Sequence, residues 1–280
     1  MPEAPSNVPP QAPRGASPRT LPRARVGFLG FGSMARAIAR GFARAGVPGG
    51  DMRACARDWA RLSAGTAELG AVACRDARQV AQGSDVVFVA VKPDVATRLC
   101  ASVADALAGR VVVSVAWGVT LDDYLAVLPD GAACVTTIPN LAVGVCEGAW
   151  LVDERDTLST EQRALVDGLL GATGSVTRLP AHLMDAGGTI TSCAPAWAAM
   201  FVEALADAGV KHGLPRAQAN LLAERMVCGT GRMLEQTGQS PAALKDAVCS
   251  PGGATIRGVA QLEREGMRAA VIDAVDAVLG

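Results

Sequence analysis

The sequence predicts a doubly wound α/β domain followed by an all-α domain. Short Val-rich runs alternate with helix-length spacers from Arg25 onward, a pattern typical of a parallel sheet buried on both faces. Apolar residues with helical spacing replace these runs near residue 181. The first 22 residues contain seven of the 16 prolines and almost no large apolar side chain, which indicates a disordered leader. We therefore expect three regions, at 1–23, 24–181 and 182–280.

Local signals place the elements in chain order. Strands are expected at "RVGFL", "MRACA", "DVVFVAV", "RVVVSVA", "ACVTTI" and "AWLV", with the first helix over residues 33–44. An apolar stripe over 197–208 predicts a helix that ends at Gly213. Pro215 and Ser240-Pro241 open two more helices, and "SPGGAT" precedes a fourth that runs toward the C-terminus. A helical region of this size is small for a core of its own, so we expect its stripes to pack against a second copy of the chain.

The composition excludes several classes of partner. The 26 basic and 27 acidic residues nearly cancel, so we expect no surface for nucleic acid or anionic lipid. The eight cysteines contain no CxxC pair and are accompanied by two histidines, which argues against zinc and favours a reducing cytoplasm over disulfides. No uncharged span of 18 residues is present, so we expect a soluble protein that binds small molecules or its own subunits.

A Gly-rich loop lies where the first predicted strand meets the first helix. It reads Gly30-Phe31-Gly32-Ser33-Met34-Ala35. Gly30 permits a tight turn, Gly32 lets the backbone approach a pyrophosphate, and Ala35 allows close packing of helix and strand. This position between strand and helix predicts a Rossmann-type dinucleotide site, and a merely tight turn is the alternative.

The end of the second predicted strand bears on the choice of cofactor. Arg57 suits the 2′-phosphate of NADP, whereas NAD-dependent enzymes usually present an acid at this place. Asp58 is the next residue, and a slip of one position would favour NAD. A solvated loop is the alternative for both residues. We predict NADP as the cofactor, with NADPH preferred over NADH.

A second Gly-rich loop, Ser250-Pro251-Gly252-Gly253-Ala254-Thr255, separates two predicted helices. Its backbone N–H groups can point to a common centre in front of the next helix, which suits a carboxylate. Thr255, in the first turn, is placed to cap the helix or to bind a ligand. Taken alone, SPGG between helices is more often a plain turn.

These residues together resemble the pyrroline-5-carboxylate reductase family over Arg25 to Leu279. The segments that carry the resemblance are "VGFLGFGSMARAIARG", "DVVFVAVKP", "VVSVAWGVTLDDYLAVLP", "FVEALADAGVKHGLPRAQA" and "LKDAVCSPGGATIRGVAQLEREGMRAAVIDAV". The resemblance implies a dinucleotide domain and a helical domain that forms homodimers. It also implies an oxidoreductase of proline biosynthesis that reduces 1-pyrroline-5-carboxylate to L-proline with NAD(P)H.

The resemblance implies a site residue by residue, to which the strand-end argument adds Arg57. The expected cofactor-binding residues are Gly30, Phe31, Gly32, Ser33, Met34, Ala35, Arg57, Val91, Lys92, Pro93, Ala116 and Asn140. Ser250, Gly252 and Gly253 would offer backbone donors to the substrate carboxylate. Thr255 would hydrogen-bond the ring nitrogen as the catalytic residue. A protonated cyclic imine is already electrophilic, so positioning and one proton suffice and no metal is implied.

Three segments depart from the family pattern. Residues 138–142 lack its second proline and its threonine, and residues 192–194 replace a glycine-rich turn. Trp117 stands at a normally small position near the expected nicotinamide. Two alternatives therefore stay open: a reductase of a different cyclic imino acid, and a non-catalytic NADP-binding paralogue.

Overall fold

The computed structural model describes residues 21–280. This part of the chain forms two compact units, a sheet unit that ends at Ala194 and a helical unit from Pro195 to Val278. Residues 1–20 of the predicted leader lie outside the described residues.

The sheet unit contains an eight-stranded sheet with the order β3-β2-β1-β4-β5-β6-β7-β8. The strands are β1 Val26–Leu29, β2 Met52–Cys55, β3 Val72–Ala73, β4 Val86–Val89, β5 Val111–Ser114, β6 Ala133–Pro139, β7 Gly148–Asp156 and β8 Gly174–Leu179. Neighbouring strands are parallel except β6 and β7, which are antiparallel. The carboxyl ends of β1 to β4 therefore meet at one edge of the sheet, which is where ligands bind in folds of this kind.

Three strands differ from the prediction. β3 has two residues and β8 is only half-buried along most of its length, so neither shows the apolar run that identified the others. The prediction that the "AWLV" strand is parallel to its neighbour β6 is wrong. The connection from β6 to β7 spans only residues 140–147, whereas a parallel crossover needs a dozen residues or more.

Helices cover both faces of the sheet. They are α1 Ser33–Ala45, α2 Trp59–Ala67, α3 Ala77–Gln82, α4 Pro93–Ser102, α5 Ala104–Leu107, α6 Leu121–Leu125, α7 Thr160–Gly171 and α8 Met184–Gly188. Alternate residues of β4 enter two separate cores, with Phe88 in one and Val87 and Val89 in the other. The Phe88 ring stacks on Phe28 with centroids 5.5 Å apart and contacts Trp150 at 6.3 Å. Both cores are closed by residues of the sheet unit itself.

The division between the units lies beyond the boundary that we predicted at residue 181. Short helical turns at Ala181–Leu183 and α8 follow β8, and a π-helical turn at Thr189–Cys193 continues into the long helix α9. Met184 of α8 packs with Ile138 and Leu151 of the sheet. These contacts keep residues 182–194 with the sheet unit, although the change to helical periodicity begins before them.

The helical unit is built from five helices. They are α9 Ala194–Lys211, α10 Arg216–Thr237, α11 Pro241–Ala247, α12 Ala254–Arg264 and α13 Met267–Leu279. The predicted fourth helix is two helices, because residues 265–266 interrupt it. Within this unit the buried apolar cluster consists of Ala206, Ala219 and Ala223, with Val202 packed against it.

One helical run of the described chain, Ala181–Lys211, is long and apolar enough to cross a membrane by length and composition, with a mean hydropathy of 1.2. Its first part packs on the sheet through Met184, and Glu203 and Asp207 lie in its second part. Length and composition alone do not distinguish a membrane span from a helix that packs against protein.

Candidate active site

The first Gly-rich loop makes a tight turn at the carboxyl end of β1. Gly30 has a φ of 93°, in the left-handed region that disfavours other residues. A Cβ atom here would lie 2.6 Å from the carbonyl oxygen of Ala90. The Gly30 N–H donates to the Cys55 carbonyl of β2 at 3.0 Å, which fixes the turn. Glycine is therefore required at this position by both conformation and space.

The N-terminus of α1 is open toward solvent. Gly32 is its N-cap, no side chain caps it, and no atom lies within 4 Å of a Cβ built on Gly32. The first-turn N–H groups, which begin with exposed Ser33, have no partners inside the helix. Ala35 is fully buried and allows α1 to approach the sheet. The loop thus offers backbone donors and the positive end of a helix to an anion.

A cleft of about 910 Å³ surrounds this loop. Seven of the predicted cofactor residues line it: Gly30, Phe31, Gly32, Ser33, Arg57, Val91 and Lys92. The other predicted residues, Met34, Ala35, Pro93, Ala116 and Asn140, do not line it. Pro93 is the first residue of α4 and Lys92 its N-cap, so Pro93 directly follows the lysine that lines the cleft.

Arg57 and Asp58, although adjacent in sequence, have different roles in the structure. Asp58 is the N-cap of α2: its carboxylate accepts the Arg61 N–H at 3.0 Å and pairs with the Arg61 guanidinium at 3.3 Å. The Arg57 side chain is exposed in the cleft, and within residues 21–280 no ion pair engages it. This arrangement leaves a guanidinium, and no free carboxylate, directly after β2, which favours a phosphate over a ribose hydroxyl.

Cys55 is the titratable group that lies deepest in the cleft wall. Burial raises the pKa of its thiol to about 11, so the sulfur is protonated and unreactive at neutral pH.

The backbone after β5 is held by a buried hydroxyl pair. Ser114 Oγ lies 2.7 Å from Tyr124 Oη and accepts the Ala116 N–H at 3.1 Å. Burial raises the pKa of Tyr124, which keeps the phenol neutral. The pair fixes the position of Ala116, the residue that we expect to border the nicotinamide.

The Trp117 ring packs inside the sheet unit. Its indole nitrogen donates to Asp185 Oδ1 at 2.6 Å, and its side chain packs against the buried cluster of Ile138, Leu151 and Met184. A Cβ on Gly188 would lie 3.0 Å from this ring, so the glycine makes room for it. The large Trp117 side chain is thus accommodated against α8 within the sheet unit.

The side chain of Asn140 holds two segments together. Its carbonyl oxygen accepts the Ala149 N–H of β7 at 3.1 Å, and its amide donates to the Thr191 carbonyl of the π-helical turn at 2.9 Å. Ser192 Oγ donates to the Pro139 carbonyl at 3.0 Å in the same place. Asn140 therefore positions the chain around the end of β6, and its predicted contact with the cofactor stays a prediction.

The second Gly-rich loop differs from the prediction at one of its expected donors. Gly252 has a φ of 68°, which favours glycine, and a methyl group on Gly253 would require the Ser250 hydroxyl to move. The Gly253 N–H already donates to the Ser250 carbonyl at 3.0 Å, and therefore is not available to a substrate. The available donors are the first-turn N–H groups of α12 at residues 254–256. The Thr255 side chain in this turn is exposed.

Known proteins resemble this chain over most of its length. The family described as pyrroline-5-carboxylate reductase dimerisation matches residues 181–279, and the one described as NADP oxidoreductase coenzyme F420-dependent matches residues 25–118. The pyrroline-5-carboxylate reductase of Treponema pallidum is 40% identical over 259 residues, covering 91% of this chain and 98% of the relative. The chain belongs to the pyrroline-5-carboxylate reductase family.

Further relatives agree with this assignment. The pyrroline-5-carboxylate reductase of Escherichia coli is 35% identical over 90% of this chain and 94% of its own. The crystal structure of Plasmodium falciparum pyrroline carboxylate reductase with NADP bound matches with a TM-score of 0.82 at 25% identity, covering 91% of this chain and 95% of that one. Membership in the reductase family confirms the predicted fold class, and the Plasmodium falciparum structure contains the cofactor that we predict, NADP.

Sequence reasoning missed part of the reductase cleft. Arg36, Arg61, Arg75 and Arg98 also line it. Arg36 spans from the Gly-rich loop to α2, since it donates to the Phe31 carbonyl at 3.3 Å and to the Arg61 carbonyl at 2.7 Å. Arg75 follows β3, a strand too short to be recognised. For Arg75 the signal available in the sequence was a basic residue soon after a strand end, as at Arg57 after β2 and Lys92 after β4.

Proposed function

We infer that the protein reduces 1-pyrroline-5-carboxylate to L-proline with NADPH. The observation that carries this conclusion is the 40% identity to a pyrroline-5-carboxylate reductase over 91% of the chain. The two glycine loops add the physical argument, because one suits a pyrophosphate and the other a carboxylate.

The cleft fits NADP at the positions that the chain contributes. A Cβ at Gly30 would collide with the Ala90 carbonyl and displace the turn, whereas the space around Gly32 is open for a pyrophosphate. Exposed Arg57 suits the 2′-phosphate. Bound NADPH supplies the hydride for the imine carbon. Val91 and Lys92 line the same cleft. Ala116 is held in place by its N–H bond to Ser114 Oγ. We propose that these residues hold the cofactor, with Met34, Ala35 and Pro93 supporting them from behind.

We propose that the second loop binds the substrate. The first-turn amides of α12 and the Ser250 hydroxyl would hold the carboxylate, and Gly252 gives the loop its shape. The Thr255 hydroxyl would orient the ring nitrogen, which retains one proton as the carbon accepts hydride, so that the product is a secondary amine. Thr255 is too weak an acid to be a strong proton source, so a proton relayed from water is consistent with its role.

Oxidation of NADPH by the purified protein with 1-pyrroline-5-carboxylate tests the proposal. We expect turnover with NADPH to exceed turnover with NADH. Thr255→Ala should lower kcat/KM by about tenfold or more, because a hydrogen bond to a charged group is lost. Thr255→Ser, which retains the hydroxyl, should keep most of the activity. No turnover at saturating substrate would reject the proposal, and tight NADP binding without turnover would identify a non-catalytic paralogue.

The choice of substrate ring is tested in the same assay. The six-membered analogue of pyrroline carboxylate should be the poorer substrate. Trp117 was one of the three departures that left a different imino acid open, and its ring is packed against α8. A higher kcat/KM for the six-membered ring would establish the alternative substrate.

We propose that the protein is a homodimer in the cytoplasm. The helical unit has a groove of about 480 Å³ whose apolar lining is Val259, Leu262, Met267, Val271 and Ile272, with Lys245, Glu263 and Arg268 around it. The match of residues 181–279 to a dimerisation family supports a second copy as the occupant of this face. The eight cysteines remain free thiols, as a reducing compartment would keep them.

A further inference from the structure

An arginine and a tryptophan form a stacked pair at the rim of the cofactor cleft. The guanidinium of Arg75 lies over the Trp59 ring, 3.7 Å from its centroid. Arg75 lines the cleft, whereas Trp59 stays outside the cleft wall. The Arg75 backbone N–H donates to Gln79 Oε1 at 2.9 Å, which fixes the segment that carries the side chain. Arg75 is therefore held at its backbone by Gln79 and at its guanidinium by the Trp59 ring.

The topology places this pair beside Arg57. β3, β2 and β1 are adjacent and parallel, so the residues that follow them leave the same edge of the sheet. Arg57 follows β2 and Arg75 follows β3, and both line one cleft. In dinucleotide folds the adenosine ribose lies at the end of the second strand. Arg75 is thus one strand beyond the position where a 2′-phosphate is expected.

The neighbouring charges leave these two arginines available. The two acids nearby are helix caps, because Asp58 accepts the Arg61 N–H and Asp76 accepts the Gln79 N–H at 2.8 Å. Arg61 is paired with Asp58. Within the described chain, neither Arg57 nor Arg75 has an ion-pair partner. A dianion entering this end of the cleft would meet two guanidinium groups that are not engaged in ion pairs within the described chain.

We propose that Arg75, positioned by Trp59, is a second guanidinium for the 2′-phosphate of NADP and a determinant of selectivity over NAD. This inference rests on the proposed function for the identity of the cofactor. Stacking on an aromatic face restrains a guanidinium while leaving its N–H edge free for a phosphate. Arg57 and Arg75 would then contact the phosphate, and Trp59 acts through Arg75 as a positioning residue.

Calorimetric binding of NADP⁺, NAD⁺ and adenosine 2′,5′-bisphosphate to the full-length protein tests the inference without turnover. Arg75→Ala should lower the affinity for NADP⁺ and for adenosine 2′,5′-bisphosphate about tenfold, since one charged contact to the 2′-phosphate is lost. The affinity for NAD⁺ should change by less than about twofold. Trp59→Leu should give a smaller loss in the same direction. Trp59→Phe, which retains an aromatic face, should restore most of the NADP⁺ affinity.

Two arginine variants serve as matched controls. Arg78→Ala removes the same charge three residues further along, but Arg78 is paired with Asp105 at 2.6 Å and does not line the cleft, so NADP⁺ affinity should not change. Arg98→Ala removes a charge from the cleft wall on α4, away from β3, and should change the NADP⁺ to NAD⁺ ratio less than Arg75→Ala.

The outcomes separate this inference from the function on which it rests. Equal weakening of NADP⁺ and NAD⁺ by Arg75→Ala, or no weakening at all, would overturn the role of Arg75 while leaving reductase activity in the parent protein intact. Absence of turnover in the parent protein, with selective loss of NADP⁺ affinity in Arg75→Ala, would instead reject the proposed reaction and retain this binding role.

Discussion

The two units of this chain differ in how they bury apolar surface. In the sheet unit, aromatic side chains such as Phe28, Phe88 and Trp150 are fully buried between helices and strands. In the helical unit the interior is a small alanine cluster, while Met200 is 66% and Ile272 60% exposed. A soluble monomer rarely leaves so many large apolar side chains in water. The sheet unit thus completes its own core, whereas the helical unit requires a partner to complete one.

Introducing negative charge into the groove of the helical unit should have the largest of the predicted effects, on the assembly state of the protein. Leu262→Glu combined with Ile272→Glu places two carboxylates on a face that we expect a second copy to cover, so the assembly should dissociate to monomers. Sedimentation velocity measures the change in mass. Binding of NADP⁺ to the sheet unit should persist.

Leu125→Glu is the matched control for that experiment. Leu125 is also an exposed apolar residue, but it lies on α6 of the sheet unit, so the mass should not change. Equal dissociation by both changes would contradict the assignment of the interface to the helical unit.

Two glycines distinguish the packing of the units. Gly41 of α1 is buried, and a methyl group there would collide with the Val143 carbonyl, so Gly41→Ala should lower the free energy of unfolding by about 3 kcal/mol. Gly231 of α10 has no atom within 4 Å of a Cβ position. Gly231→Ala should raise the stability by about 0.5 kcal/mol through helix propensity. Urea denaturation at one protein concentration measures both changes in unfolding free energy. A comparable loss of stability for Gly41→Ala and Gly231→Ala would contradict the difference in packing between the two units.

The Trp117 contact should have a smaller effect. Trp117→Phe removes the hydrogen bond to Asp185 and should lower the free energy of unfolding by about 1 kcal/mol. The loss is modest because Asp185 is exposed and its carboxylate can bind water instead. Because the ring packs within the sheet unit, KM for pyrroline-5-carboxylate should be unchanged. Asp185→Asn, which retains an acceptor, should cost less. A large rise in KM for Trp117→Phe would show that the ring contacts the substrate.

The buried thiol in the cleft should give the smallest effect at neutral pH. Burial raises the pKa of Cys55 to about 11, and alkylation requires the thiolate, so iodoacetamide should leave Cys55 unmodified near pH 7. The rate should rise about tenfold per pH unit as the thiolate fraction grows, and level off above the pKa. Mass spectrometry of the peptide with Cys55 measures this.

A variant and a comparison check the interpretation of Cys55. Cys55→Ser should bind NADP⁺ like the parent protein, since the cleft does not use the sulfur. Cys228, which is exposed on α10, provides an alkylation reference from the helical unit. Rapid modification of Cys55 at neutral pH would show that the sheet unit opens more readily than its packing indicates.

Local signals predicted the elements that form the first loop. The apolar run of β1 and the start of α1 at Ser33 were readable because glycine, strand and helix signals coincide there. β3 was missed because two residues carry no periodicity, and with it the position of Arg75. The break in the fourth helix was marked by Gly266 after Arg264, a common helix C-terminus, but the apolar pattern on either side obscured it.

Other residues took roles that depend on distant partners. Asp58 competed with Arg57 in the sequence, and its use as the cap of α2 decided between them. Gly253 was predicted as a donor, yet its N–H is used within its own turn. Asn140 and Trp117 were placed by partners 51 and 68 residues away, which no local pattern encodes.

By itself, the sequence determined the order of the two units, the positions of both glycine loops and the family, since these depend on neighbours along the chain. The tertiary structure alone decided which charges remain unpaired in the cleft, where the Trp117 ring packs, and that Arg75 joins Arg57 at one edge of the sheet. The physical reason is that a side chain's partners are set by strand order and helix packing, which bring together residues that are far apart in the chain.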